Sequence, residues 1–393
     1  MRKISYLSGA ADFKATYDQF AGIAPRSFFG TNYLGFFIEL VLEQKARAQV
    51  FTWRGDDEFC DAYDGRFEVL NRPLPLTRGL RFHIDMVIWN LRQLGSMLRF
   101  RPDVLVLTGS QDFWWVYSPL RLVGTTLLPS FHCVQWPIFQ KPSWRKRFYA
   151  RLNGLLVLRS APAIVVTSQA IRRQVVEMLR GRLVPIHEHL PTYSRQQFEH
   201  LVDHRPIGCR PFGVLFVGRI EENKGVFDLV RIAAELERAR ASEFQFHFCG
   251  TGSALEALED CVHREGLGHA VFIHGYCDPA KLSDIIALCH CYVVPTKSDF
   301  EAGYEMTCAE AVLAHRPLIT SAVAPAIDTV RDAAIEVPPD DRDAYRDAIV
   351  QLADDATLYA LKMEACRAVA ELFYDPKNSW KSAMTKALVE IRA

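Results

Sequence analysis

The residues best suited to chemistry lie in two short runs of the second half of the chain. In Phe216-Val217-Gly218-Arg219-Ile220-Glu221-Glu222-Asn223-Lys224-Gly225 an apolar strand ends in glycine and an arginine follows at once. A lysine stands five residues later, where a helix should start. Two cations beside free backbone N–H groups at one sheet edge suit a diphosphate. The second run, 294–311, leaves an apolar strand and passes through a loop carrying Asp299, Glu301, Gly303 and Glu305. It then enters a helix expected from Met306 to about His315. Glu310 falls one turn into that helix, between Ala309 and Ala311, where a carboxylate can accept a pair of hydroxyls. Gly303 lets the backbone approach an anion closely. Glu301 and Glu305 precede a helix N-terminus that tolerates negative charge.

A third signal is the tight turn Gly250-Thr251-Gly252-Ser253 between a strand and a helix. Leu255 stands where the dinucleotide fingerprint needs its third glycine, so a nicotinamide dehydrogenase is disfavoured. The elements that must position these residues alternate regularly. Strands are expected at 214–218, 244–250, 271–275, 292–294, 317–320 and 334–337, with helices between them. Such alternation indicates βαβ units and a parallel sheet. Its ligand would bind at the carboxyl edge, where both runs lie. The first half offers strands at 3–7, 48–53, 104–108, 126–132 and 163–168. Helices are expected at 34–44, 80–98 and 169–180, the last capped by Ser168. A polar, proline-containing stretch at about 200–211 reads as a linker. The α/β class therefore resolves into two Rossmann-like domains facing a cleft, with helices at about 343–373 and 377–391 closing the chain.

The 393 residues are 49% hydrophobic and 23% charged, ordinary for a globular protein. The formal net charge of zero conceals an asymmetry of roughly +10 over residues 1–205 and roughly −10 over the rest. The basic half implies an anionic partner or surface. The start Met1-Arg2-Lys3 precedes no apolar core long enough for a secretory leader. No uncharged apolar run reaches about 18 residues. The ten cysteines are irregularly spaced, as reduced thiols in a cytoplasmic protein would be. Cys289-His290-Cys291 has no second ligand pair at zinc spacing, so no metal is expected. Nucleic acid is a poor partner, because no basic–aromatic binding module is recognisable.

As a set, Gly218-Arg219…Lys224-Gly225, Gly250-Thr251-Gly252, Pro295, Gly303-Tyr304…Glu310-Ala311 and Arg316-Pro317-Leu318-Ile319 resemble glycosyltransferase family 4. These are retaining, nucleotide-sugar-dependent enzymes of the GT-B fold. The resemblance implies metal-independent transfer of a sugar from a nucleoside diphosphate to an acceptor hydroxyl. The acceptor would be a glycan or lipid-linked glycan in cell-surface polysaccharide assembly. Domain 1–205 would bind the acceptor and domain 206–374 the donor, and a last helix within 375–393 would return to the first domain. Arg219 and Lys224 would hold the diphosphate, Glu310 the ribose, and Glu301 the sugar near its reacting carbon. Backbone N–H groups over Gly303, Tyr304, Glu305 and Met306 would bind phosphate or sugar oxygens, beside Gly218, Gly250 and Gly252. In the first half, Gly30-Thr31-Asn32 occupies the place of the family's acceptor loop. His132 matches a histidine facing the donor sugar, though a packed histidine beside Cys133 and Trp136 is the plainer alternative.

One departure matters. The family places its first acid eight residues before the second, and here that place is Ala302. Glu301 sits one residue earlier, and Glu305 replaces the glycine after the aromatic residue. Glu301 is the preferred substitute, because Ala302 and Gly303 can absorb the offset. Glu305 and an inactive site are the other options. The shifted acid leaves two rivals to transfer: a non-catalytic nucleotide-sugar binder or scaffold, and an epimerase of the same fold. Separately, Trp144-Arg145-Lys146-Arg147-Phe148-Tyr149-Ala150-Arg151-Leu152 mixes cations with aromatics, and Arg78, Arg81, Arg92, Arg99 and Arg101 add to it. This pattern fits peripheral attachment to the anionic inner face of a membrane.

Overall fold

The structure, a computed structural model, describes residues 1–9, 11–23, 33–53, 59–62, 65–201 and 205–391. The expected acceptor loop, Gly30-Thr31-Asn32, lies outside these residues. The first sheet comprises β1 (Lys3–Gly9), β2 (Arg47–Thr52), β3 (Phe59–Ala62), β4 (Phe67–Asn71), β5 (Val104–Leu107), β6 (Thr126–Phe131), β7 (Ile164–Val166) and β8 (Ile186–Glu188). Its order is β3-β4-β2-β1-β5-β6-β7-β8, parallel except for the β3–β4 pair. The second comprises β9 (Phe212–Val217), β10 (Phe244–Cys249), β11 (Val271–Gly275), β12 (Cys291–Val294), β13 (Leu318–Ser321) and β14 (Ala334–Val337). It is wholly parallel, in the order β11-β10-β9-β12-β13-β14.

Successive strand residues feed opposite cores, as the two-residue period of a strand demands. In β5, Leu105 and Leu107 join one cluster while Val104 and Val106 join the other. In β12, Tyr292 and Val294 face one side and Cys291 and Val293 the other. This double burial explains why these strands read as unbroken apolar runs.

The last helix, Trp380–Glu390, crosses to the first domain. Trp380, Ala383, Met384, Ala387 and Leu388 complete the core on one face of the first sheet. The Trp380 indole N–H donates to Ser130 Oγ at 2.9 Å, and Lys381 reaches Glu39 and Glu43. The helix before it is not the single one expected over 343–373. Asp355 breaks it by accepting from the N–H groups of Thr357 and Leu358, so that Arg342–Asp354 ends and Ala356–Tyr374 begins.

Candidate active site

In the second sheet the strand order reverses between β9 and β12, and ligands of open α/β sheets bind beyond the carboxyl ends of such a pair. The loop after β9 carries Arg219 and Lys224. The loop after β12 carries Glu301, Gly303 and Glu305 and leads into the helix Met306–Leu313. Close backbone packing holds the first loop. A side chain at Gly250 would meet Gly218 O at 1.8 Å, and one at Gly252 would meet Ile220 O at 2.3 Å. The glycine turn is thus needed to seat the loop after β9, with Ile220 N donating to Thr251 O at 2.9 Å. Gly225, at φ +73°, lies against the carbonyl of Pro295 and joins the two loops at their base.

The two candidate acids are divided. Glu305 occupies the left-handed region (φ 58°) immediately before the helix Met306–Leu313 and holds Lys224 Nζ at 2.8 Å. Both side chains are nearly buried, at 12% and 11% exposure. Glu301 accepts from Lys146 Nζ of the first domain at 3.0 Å, and Lys146 also pairs with Asp112. Arg219 is more open, with Glu221 at 2.7 Å, and both it and Lys224 lie over the ring of Phe300. Glu310 differs from both acids. No described residue pairs with its carboxylate, and burial pushes it up to about 7.

Across the cleft, the chain after β6 meets the loop after β12. Val134 N donates to Ala302 O at 3.0 Å, and Cys133 bridges Gly303. Gly303 packs closely against the first domain. Its missing side chain makes room for His132 O, 3.2 Å from where a Cβ would stand. His132 therefore stands beside the loop. Its Nε2 lies 3.2 Å from Ser130 Oγ, its ring contacts those of Tyr33 and His189, and its Nδ1 has no partner among the described residues. Burial lowers His132 to about 4, so the ring is neutral near pH 7.

The ring of Tyr304 is buried against Phe373 and leaves only backbone for a ligand. Arg316, in the run following Glu310, is consumed by the fold, its buried guanidinium donating to carbonyls of Cys289 and Ala314. Lys146 and Asp112 escaped sequence reasoning. Only the folded chain brings Lys146 to Glu301, and its run stands out in the sequence for mixing cations with aromatics, which points to a membrane surface.

Two α/β domains with parallel sheets, a switch point in the second sheet, an interdomain cleft and a returning helix define the GT-B class. Solved structures agree on the fold. Sucrose-phosphate synthase from Thermosynechococcus elongatus aligns over 100% of this chain and 99% of its own at a TM-score of 0.69 and 15% identity. The apo structure of OtsA gives 0.72 over 100% and 99% at 13% identity. Anabaena HepE in complex with UDP and glucose gives 0.65 over 99% of both chains at 14% identity. Residues 37–188 match the family model "Glycosyl transferase 4-like domain", and residues 211–355 match "Glycosyl transferases group 1". The alpha-D-kanosaminyltransferase of Streptomyces kanamyceticus is 33% identical over 159 residues, spanning 40% of this chain and 39% of that protein. The chain belongs to the family-4-like glycosyltransferases of the GT-B fold.

Proposed function

We propose that the chain transfers a sugar from a nucleoside diphosphate sugar to an acceptor hydroxyl with retention of configuration. The observation that carries this is the meeting of three groups at one place: the Arg219–Lys224 loop and the Glu301–Glu310 stretch flank the β9/β12 switch point, and His132 stands against the second of them from the other domain. That HepE was solved with UDP and glucose, and that a partial relative is a kanosaminyltransferase, support a nucleotide-sugar donor.

Lys224 and Arg219 stabilise the diphosphate as negative charge grows on the departing oxygen, with no resident metal ion sharing that role. Preorganised cations at a developing anion are the largest single source of rate in such sites. Glu310 accepts the ribose hydroxyls, and the neutral His132 hydrogen-bonds a sugar hydroxyl. The bond from the anomeric carbon to the diphosphate oxygen breaks. The acceptor oxygen bonds to that carbon on the same face and passes its proton to a diphosphate oxygen. Before any of this the diphosphate must take over Lys224 from Glu305 or share it. Glu301 is the acid nearer the first domain and orients the sugar through the Lys146 pair. The acceptor is a glycan or lipid-linked glycan of surface polysaccharide assembly, bound by the first domain of a cytoplasmic enzyme.

The Glu305–Lys224 pair favours one rival, a binder of nucleotide sugars that does not turn them over. Incubation with candidate nucleotide sugars, with and without acceptor glycans, followed by product analysis, separates the two. Released nucleoside diphosphate together with an α- or β-linked product matching the donor's own anomer supports transfer. Donor binding without release of nucleoside diphosphate supports the binder. Conversion of the donor sugar without acceptor supports an epimerase.

A further inference from the structure

We infer that the outer face of the first domain, built by the helices Gly79–Phe100 and Trp144–Leu156, docks onto an anionic phospholipid bilayer. Both helices belong to one layer, since both contribute to the core on the same face of the first sheet. They touch at His83, which meets Arg145 and the hydroxyl of Tyr149.

The helix Gly79–Phe100 spends Met86, Trp89, Leu94 and Met97 on that core. Its opposite side is also apolar. Leu80, Ile84, Ile88, Leu91 and Leu98 are exposed, Leu80 at 77% and Ile84 at 52%. At 100° per residue they fill one arc of the outer surface. Arg81, Arg92 and Arg99 form a row along one edge of that arc, and Asp85 is the helix's single acid. The second helix repeats the pattern. Trp144, Phe148 and Leu155 are exposed along one side, Arg147 and Arg151 flank them, and the helix contains no acid. Lys146 is the member of this run turned inward, to Glu301.

An amphipathic helix that has already buried one face and exposes a second apolar stripe edged by arginines matches an interfacial membrane helix. Its apolar side chains enter the acyl boundary, and the guanidinium groups reach lipid phosphates. No helix among the described residues is long and apolar enough to cross a membrane, so the contact is one of surface. Beyond the arginine row, Arg99 also lines a recess of about 460 Å³ with Lys3, Arg47 and Arg72, against the one carboxylate of Glu68. Such a recess suits a phosphate-bearing headgroup. A second copy of the chain is the less favourable occupant, because a two-fold contact would set the arginine rows against each other. The inference is compatible with the lipid-linked acceptor proposed above but does not depend on turnover, so either can fail alone.

Flotation of the whole chain with vesicles of phosphatidylcholine alone, or with added phosphatidylglycerol, tests it. Binding should require phosphatidylglycerol and weaken with salt. Arg81→Gln/Arg92→Gln/Arg99→Gln should lose affinity for these vesicles by at least about tenfold. Ile84→Ser/Ile88→Ser/Leu91→Ser should lose it at every salt concentration. These side chains are exposed, so both variants should keep the parental melting temperature. Parental failure to bind phosphatidylglycerol vesicles at low salt would overturn the inference. So would unchanged binding in both variants, or a dimer in solution that the serine variant dissolves.

Discussion

The carboxyl of Glu310 separates what the fold tolerates from what a ligand needs. Burial holds it at about 7, against 4.5 for an ordinary glutamate. Below pH 4.5 the group is protonated whether the chain is folded or not. Between pH 4.5 and 7 the unfolded chain releases the proton and the folded chain retains it, so stability falls as pH rises. Above 7 the loss is complete. Fully desolvated, the carboxylate would cost the fold about 3 kcal/mol. The side chain keeps some access to water, which brings the cost to about 2 kcal/mol. Glu310→Gln carries the neutral form at every pH. The variant should melt roughly 4–8 °C above the parent at pH 8, and level with it near pH 4.5. Paired melting curves isolate this group, because the histidines lowered by burial contribute equally to both proteins and cancel in the difference. The same substitution should weaken binding of a nucleoside diphosphate, since an amide accepts fewer hydroxyl donors than a carboxylate. Equal or lower melting at pH 8, or a gain that does not shrink on acidification, would refute the desolvation of Glu310.

Further outcomes follow from the same geometry. Lys224→Ala should reduce transfer by about two orders of magnitude or more, because it removes a cation from the departing diphosphate and leaves Glu305 unpaired beside it; steady-state turnover checks it. Glu305→Gln should tighten binding of nucleoside diphosphates by roughly tenfold, because it removes a competing anion from Lys224. It should also lower the melting temperature, and calorimetric titration with thermal melts reads both. Trp380→Ala should cost about 3–5 kcal/mol, because its ring is fully buried in the first domain and its N–H is bonded to Ser130. Denaturant unfolding measures that cost.

The second sheet was legible because parallel strands buried on both faces leave continuous apolar runs, and every strand from β9 to β14 stood in such a run. The first sheet was less so. The β4 segment Phe67–Asn71 is five residues long with Glu68 inside it, although Asp64-Gly65 before it is a turn signal, and β8, Ile186–Glu188, is only three residues long. The 3₁₀ run Gln111–Val123, with Pro119 inside it, follows neither the helical nor the strand period. At the site, residue types and loop order were readable, because a switch point fixes which loops meet. Side-chain pairing was not. The Lys224–Glu305 pair spans 81 positions and the Lys146–Glu301 pair 155, and no local pattern encodes such contacts. The choice between Glu301 and Glu305 therefore rested on spacing alone. The fold adds that Glu305 sits on the lysine while Glu301 faces the other domain.

The most direct measurement is a thermal-shift screen of the parent and of Lys224→Ala against a panel of nucleoside diphosphate sugars. A ligand at a hundred times its dissociation constant stabilises the folded state by about 2.7 kcal/mol. At least one sugar nucleotide should raise the melting temperature of the parent by several degrees and leave that of Lys224→Ala unchanged. A parent unmoved by every member of the panel, or a shift of equal size in both proteins, would contradict a donor site built on the loops after β9 and β12.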